Sequence, residues 1–205
     1  MKLEYRIIAD WVKENSKVLD LGCGDGELLS ILASEKKVAG QGTEIDEQAI
    51  YKCVAKGLSV YHEDIEAGLP GYPSDSFDYV ILSGSLQQIK KPDYVMNEAL
   101  RVGRKIVVSV PNFAHYAIRL QILFRGKVPV TRSLPYEWYN TPNVHFLSIL
   151  DFTNYCKTRN FKIENSAFVS RERSVSMFPN FLAETGIFLL SKEDQIKASD
   201  QVLKL

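Results

Sequence analysis

The stretch KVLDLGCGDGELLSILASEKKVAGQGTE, Lys17 to Glu44, decides how the rest of the chain is read. An apolar run of Val18, Leu19 and Leu21 stops at glycines on alternate positions, Gly22, Gly24 and Gly26. Leu28, Leu29, Ile31 and Leu32 then recur at helical spacing. This pattern predicts a strand, a tight turn and a helix, with glycine where the backbone needs positive φ or a ligand needs close approach. A second apolar strand, Val38 to Gly42, leads to Glu44. An acid about twenty positions beyond a glycine turn, at the tip of the next strand, is placed to accept hydrogen bonds from ribose hydroxyls. Turn and acid together imply an adenosyl-type ligand.

Spacing separates the candidate ligands. A dinucleotide turn follows G-x-G-x-x-G and sets a helix N-terminus against a diphosphate. Here the position of the third glycine in that pattern holds Glu27, an acid that repels a diphosphate. A nicotinamide-dependent oxidoreductase is disfavoured on that ground, and an ordinary α/β turn leaves the downstream acid unexplained.

Outward from this unit, strand and helix patterns alternate. Leu3 to Glu14 carries Ile7, Ile8, Trp11 and Val12 on one helical face. Asp46 caps a helix that Gly57 ends, Leu58 to Tyr61 forms a short strand, and Asp64 follows it. FDYVILS, Phe77 to Ser83, is apolar enough for a strand covered on both faces and opens into GSLQQIKKP, where Ser83, Ser85, Gln87 and Gln88 face the expected site. Pro92 starts a helix to about Arg101, and KIVVSV, Lys105 to Val110, is the fifth strand. Strict alternation implies an α/β fold with a parallel sheet. Residues 111–145 break the rhythm with Pro111, Pro129, Pro135, Pro142 and many aromatics, including a short helix at Ala117 to Phe124. We read this as a lid-like insertion in a single domain, 1–205. A helix from Ser148 to Thr158, strands at Phe161 to Val169 and Gly186 to Ser191, and a charged, fraying tail, KEDQIKASDQVLKL, complete the reading.

Composition narrows the function. The chain has 205 residues, 45% hydrophobic, with zero formal net charge. That balance supplies no global positive field to draw nucleic acid or an anionic membrane. Cys23, Cys53 and Cys156 are widely spaced and suggest neither a zinc site nor a disulfide framework, which fits a reducing cytoplasm. No apolar run is long enough to span a bilayer, and MKLEYRIIADWVKEN lacks the continuous apolar core of a signal peptide. The expectation is a cytoplasmic protein that binds a small molecule and has no metal site.

The D-x-G-x-G-x-G of Asp20 to Gly26 resembles motif I of class I S-adenosylmethionine-dependent methyltransferases. That ligand carries a sulfonium cation and no phosphate, so the acids Asp20, Asp25 and Glu27 suit it. Beyond motif I, TEID at Thr43 to Asp46, FDYVILSGSLQ at Phe77 to Gln87, RVGRKIVVSVPNF at Arg101 to Phe113 and LPYEWYNTPNVH at Leu134 to His145 are similar to the MetW methionine-biosynthesis proteins. The resemblance implies a Rossmann-like class I methyltransferase fold, a seven-stranded, mostly parallel sheet with helices on both faces and an antiparallel strand near the carboxyl terminus. It also implies association with homoserine O-acyltransferase, and S-adenosyl-L-methionine held by Asp20, Gly22, Cys23, Gly24, Gly26, Glu44, Ile45, Asp64, Ile65 and Ser83. If the acceptor must lose a proton, His115, Tyr139 and His145 are the candidate bases, with Tyr116 a further one. Tyr136, Trp138 and Tyr139 read equally as a substrate wall or as a patch that docks a partner.

Overall fold

Strand β1 (Lys17–Leu21) lies at the middle of a sheet built outward from it in both directions. On one side it pairs with β2 (Ala39–Glu44), which pairs with β3 (Ser59–His62). On the other it pairs with β4 (Phe77–Ser83), which pairs with β5 (Gly103–Pro111). These five strands are parallel. Three of the four connections are helices, α2 (Glu27–Lys36), α3 (Glu47–Ala55) and α4 (Pro92–Val102), while β3 passes to β4 through a single 3-10 turn, Ile65–Ala67, where the strict alternation expected of the sequence breaks. Beyond β5 the sheet changes sense. β8 (Thr185–Lys192) runs antiparallel between β5 and β6 (Phe161–Ser170). A two-residue strand, β7 (Arg173–Ser174), closes that edge. The structure, a computed structural model, describes residues 1–192, so the fraying expected of the tail lies, apart from Lys192 in β8, outside the described residues.

Side chains alternate across this sheet as the strand period of two requires. Leu19, Leu21, Val80, Leu82, Ile106, Val108, Phe188 and Leu190 face α4 and α6 (Ile149–Thr158). Val18, Tyr79, Ile81, Val107, Ile187 and Leu189 face α1 (Leu3–Trp11) and α2. Both faces are apolar because helices cover both. The helix ends are set locally. Asp46 accepts from the Gln48 amide, and Ser148 and Asp151 form a reciprocal capping box.

The expected elements are present, with several boundaries moved. The sheet holds eight described strands where seven were expected, because β7 is a two-residue strand too short to leave a periodic signal. Helix α1 stops at Trp11 rather than Glu14, since Val12 turns extended and is buried. The segment after β5 contains α5 (Tyr116–Arg125), and α7 (Pro179–Leu182) was not foreseen. From Gly126 to Leu147 there is no helix or strand. This segment is tied back by the Val144 and His145 amides, both donating to the Gln87 carbonyl at 2.9 and 3.0 Å.

Phe152 sits at the centre of one core face, 4.8 Å from the Phe188 ring centroid. Phe152→Ala is expected to lower stability by about 3–5 kcal/mol in urea denaturation. A loss below about 1 kcal/mol would contradict this packing.

Candidate functional site

The turn between β1 and α2 hangs on the end of β2. The Gly22 and Cys23 amides donate to the Thr43 carbonyl at 2.9 and 3.0 Å. The Gly24 amide donates to Glu44 Oε2 at 2.7 Å, while Glu44 Oε1 accepts from the Ile45 and Asp46 amides at 2.8 and 3.0 Å. One carboxylate therefore fixes a glycine turn on one strand and a helix entry on the next. All three turn glycines have positive φ, but they do different work. A Cβ on Gly26 would lie 2.5 Å from Leu58 Cδ1 and 2.8 Å from Cys53 Sγ, so this glycine permits protein packing. A Cβ on Gly24 would meet nothing within 4 Å, because Gly24 faces open space.

That space is a cleft of about 720 Å³ at the carboxyl ends of β1, β2, β3 and β4, where ligands bind in open α/β sheets. Gly22, Gly24 and Glu44 form one wall, Ile45 an exposed apolar shelf, and Asp64 and Ile65 the far rim. Gly84, Ser85, Gln88, Lys90 and Tyr136 complete it. Asp64 also caps the short turn after β3, accepting from the Glu66 amide at 2.8 Å. Five carboxylates, from Glu44, Asp46, Glu63, Asp64 and Glu66, border the cleft against one cation, Lys90. Such a lining repels phosphate and suits a cationic ligand. The volume and the bare glycine wall leave room for a nucleoside-sized ligand beside the Glu44 carboxylate.

Not every residue expected at the ligand borders this cleft. Ser83 shares the parity of Tyr79 and Ile81, so it points to the α1 face, donating to Glu4 Oε1 at 2.9 Å. Its neighbour Ser85, whose hydroxyl donates to the Leu21 carbonyl, takes the rim position. Cys23 turns inward against Gly42, beside Cys53. Asp20 is buried beneath the turn, where desolvation and the nearby Glu44 charge push its carboxyl up to about 7.

The three candidate bases also lie away from the cleft lining. His115 caps α5 and is buried, which lowers its pKa and favours neutral imidazole. His145 lines a separate apolar cavity of about 260 Å³ with Leu86, Met96 and Phe152. Tyr139 is exposed, edge-on to Trp138. Tyr136 is the aromatic of the 126–147 segment that reaches the cleft. Asp46, Glu63 and Glu66, which the motifs do not assign to the ligand, also border the cleft, and the sequence signals them only by their place after a strand end.

The family model described as "Methionine biosynthesis protein MetW" matches residues 2–190. The chain belongs to the MetW family. Among curated relatives, it is 29% identical over 208 residues to the "Bifunctional methionine biosynthesis protein MetXA/MetW" of Rhodopirellula baltica. That alignment covers 95% of this chain and 33% of the relative, so the chain spans about a third of the relative's length. A SAM-dependent methyltransferase from Archaeoglobus fulgidus superimposes with a TM-score of 0.68 at 17% identity, covering 91% of this chain and 90% of that one. The cyclase SpnF superimposes with a TM-score of 0.67 at 16% identity, covering 92% and 80%. The chain therefore has the α/β Rossmann-like methyltransferase fold, and that fold also carries chemistry other than methyl transfer. Among the described residues, no helix is long and apolar enough to cross a membrane.

The Asp20 environment has a measurable consequence. The folded carboxyl is raised to about 7 from 3.8, so between those values the folded chain holds a proton that the unfolded chain has released. Stability from this group is full below about pH 4 and is lost as pH rises through 7. Urea denaturation from pH 5 to 8 should show wild-type stability falling more steeply than that of Asp20→Asn. Parallel profiles would contradict the buried, proton-holding carboxyl.

Proposed function

We propose that this chain binds S-adenosyl-L-methionine in the acidic cleft and transfers its methyl group to a small-molecule acceptor within methionine biosynthesis. The observation that carries this reading is the pairing of an open Gly24 backbone with the Glu44 carboxylate, in a cleft whose other charges are mostly negative. When bound, the ligand supplies an electrophilic methyl on a sulfonium that departs as a neutral thioether. The protein's own work is then largely positioning.

Glu44 is held by three amide donors, which leaves acceptor capacity on the carboxylate for a ribose hydroxyl. Ile45 offers an apolar face for a purine ring, and the Asp64–Ile65 turn lines the rim beside it. The carboxylates around the cleft compensate positive charge, and buried Asp20 adds to this once it is ionised. Residues 111–145 serve as the lid, with Tyr136 over the cleft and the Gln87 carbonyl as its anchor.

A second reading is favoured by the relative in which MetXA and MetW are one polypeptide. In it, the chain acts as an accessory subunit of a homoserine O-acyltransferase, and the exposed Trp138 and Tyr139 belong to a docking patch.

Calorimetry and isotope transfer separate these readings. S-adenosylmethionine and S-adenosylhomocysteine should bind and NAD should not. Gly24→Asn, whose side chain tolerates positive φ and projects into the open space, should abolish binding while unfolding cooperatively. Glu44→Ala should weaken binding by about 1–3 kcal/mol. Label from methyl-labelled S-adenosylmethionine should pass into the small-molecule fraction of a cell extract. Unchanged affinity in Gly24→Asn would overturn the site. No label transfer, together with an acyltransferase rate that depends on this chain, would favour the accessory reading.

A further inference from the structure

A second cavity opens on the same edge of the sheet. It measures about 280 Å³ and is bordered by Lys2, Glu4, Arg132, Arg171, Glu184 and Thr185. Thr185 starts β8 opposite Pro111, the tip of β5, and opposite Val169 near the end of β6. This cavity thus covers the tips of β5, β8 and β6, as the acidic cleft covers those of β1 to β4. The end of β4 links the two through consecutive residues. Ser83 donates to Glu4 on the cavity side, and Gly84 borders the cleft.

The charges of the cavity are of both signs, and some lack counter-ions. Arg132 pairs with Glu172 at 3.7 Å and Lys2 with Glu27 at 3.6 Å. Among the described residues, the Arg171 guanidinium forms no ion pair, and neither do the Glu4 and Glu184 carboxylates. Glu4 accepts only the Ser83 hydroxyl, and Glu184 the Arg171 main-chain amide at 3.0 Å. Arg171 is also held in an unusual way. Arg171 and Glu172 form the two-residue turn between β6 and β7 with φ of 48° and 60°, a conformation that favours Asn-Gly. Two large charged residues keep a strained turn at the mouth of the cavity.

We infer that this cavity binds the methyl acceptor, and that the acceptor is a small zwitterion of the amino-acid class. Its carboxylate meets Arg171 and its ammonium meets Glu4 and Glu184. This inference rests on the methyltransferase reading of the neighbouring cleft and adds to it the substrate's charge pattern. The same zwitterionic chemistry is present in the amino-acid end of S-adenosylmethionine. The cleft alone, at about 720 Å³, is large enough for that whole ligand, so the cavity is assigned to the second substrate.

The test is an amide NMR titration of the full chain, with and without saturating S-adenosylhomocysteine, using L-2-aminobutyrate as probe and butyrate and butylamine as singly charged controls. L-2-aminobutyrate should give saturable shifts at Arg171, Glu172 and Thr185 in both states, at least tenfold tighter than either control. Arg171→Gly removes the guanidinium and suits the positive φ, so it should keep the native spectrum and weaken the probe at least tenfold. The inference is overturned if the probe gives no saturable shift, if a control binds equally well, or if Arg171→Gly leaves affinity unchanged. It is also overturned if S-adenosylhomocysteine displaces the probe, which would give the cavity to the amino-acid end of that ligand. Shifts at Gly24 and Ile45 on adding S-adenosylhomocysteine report the cleft independently. Cleft binding without probe binding therefore sinks this inference alone, and the reverse result sinks the methyltransferase reading.

Discussion

The carboxylate of Glu44 is the constraint on which the site depends. It accepts main-chain hydrogens from Gly24 in one βα connection and from Ile45 and Asp46 in the next. Charge-assisted bonds of this kind are stronger than neutral ones. They hold a turn in which glycine occupies every second position, beside the inward packing of Cys23 and the Asp25 carboxylate that accepts from the Glu27 amide. The same bonds fix the acid in the wall of the cleft, so one group both ties the turn and lines the cavity.

The sheet explains why the site lies where it does. Parallel strands deliver every βα connection to one edge, and the antiparallel insertion of β8 between β5 and β6 brings the start of β8 to that edge as well. Two cavities of different charge character result. One is bordered by glycine, an exposed isoleucine and more acids than cations, while the other balances positive against negative. Ser83, which parity turns away from the first, bonds to Glu4 at the border of the second.

Much of this was legible in the sequence, for stated reasons. Alternating glycines followed by a helical repeat fix the β1 turn, and the spacing to Glu44 fixes its partner. Apolar runs long enough to be covered on both faces mark β4 and β5. The readings that moved depended on direction rather than pattern. Ser83 counts as a site residue by proximity to a strand end, but strand parity sends it to α1. His115 and His145 stand out as lone titratable groups, yet one caps a helix and the other borders an apolar cavity. β7 is two residues long, below the length at which a period can be seen. The mixed-charge cavity joins residues 2 to 185, a set that only folding assembles.

A crystal structure of the chain grown with S-adenosylhomocysteine tests the central claim most directly. The account requires the ribose hydroxyls within hydrogen-bonding distance of Glu44, the purine against Ile45 and the backbone of Gly24 in contact with the ligand. A ligand seated elsewhere, or a cleft that admits a diphosphate nucleotide in its place, would contradict it.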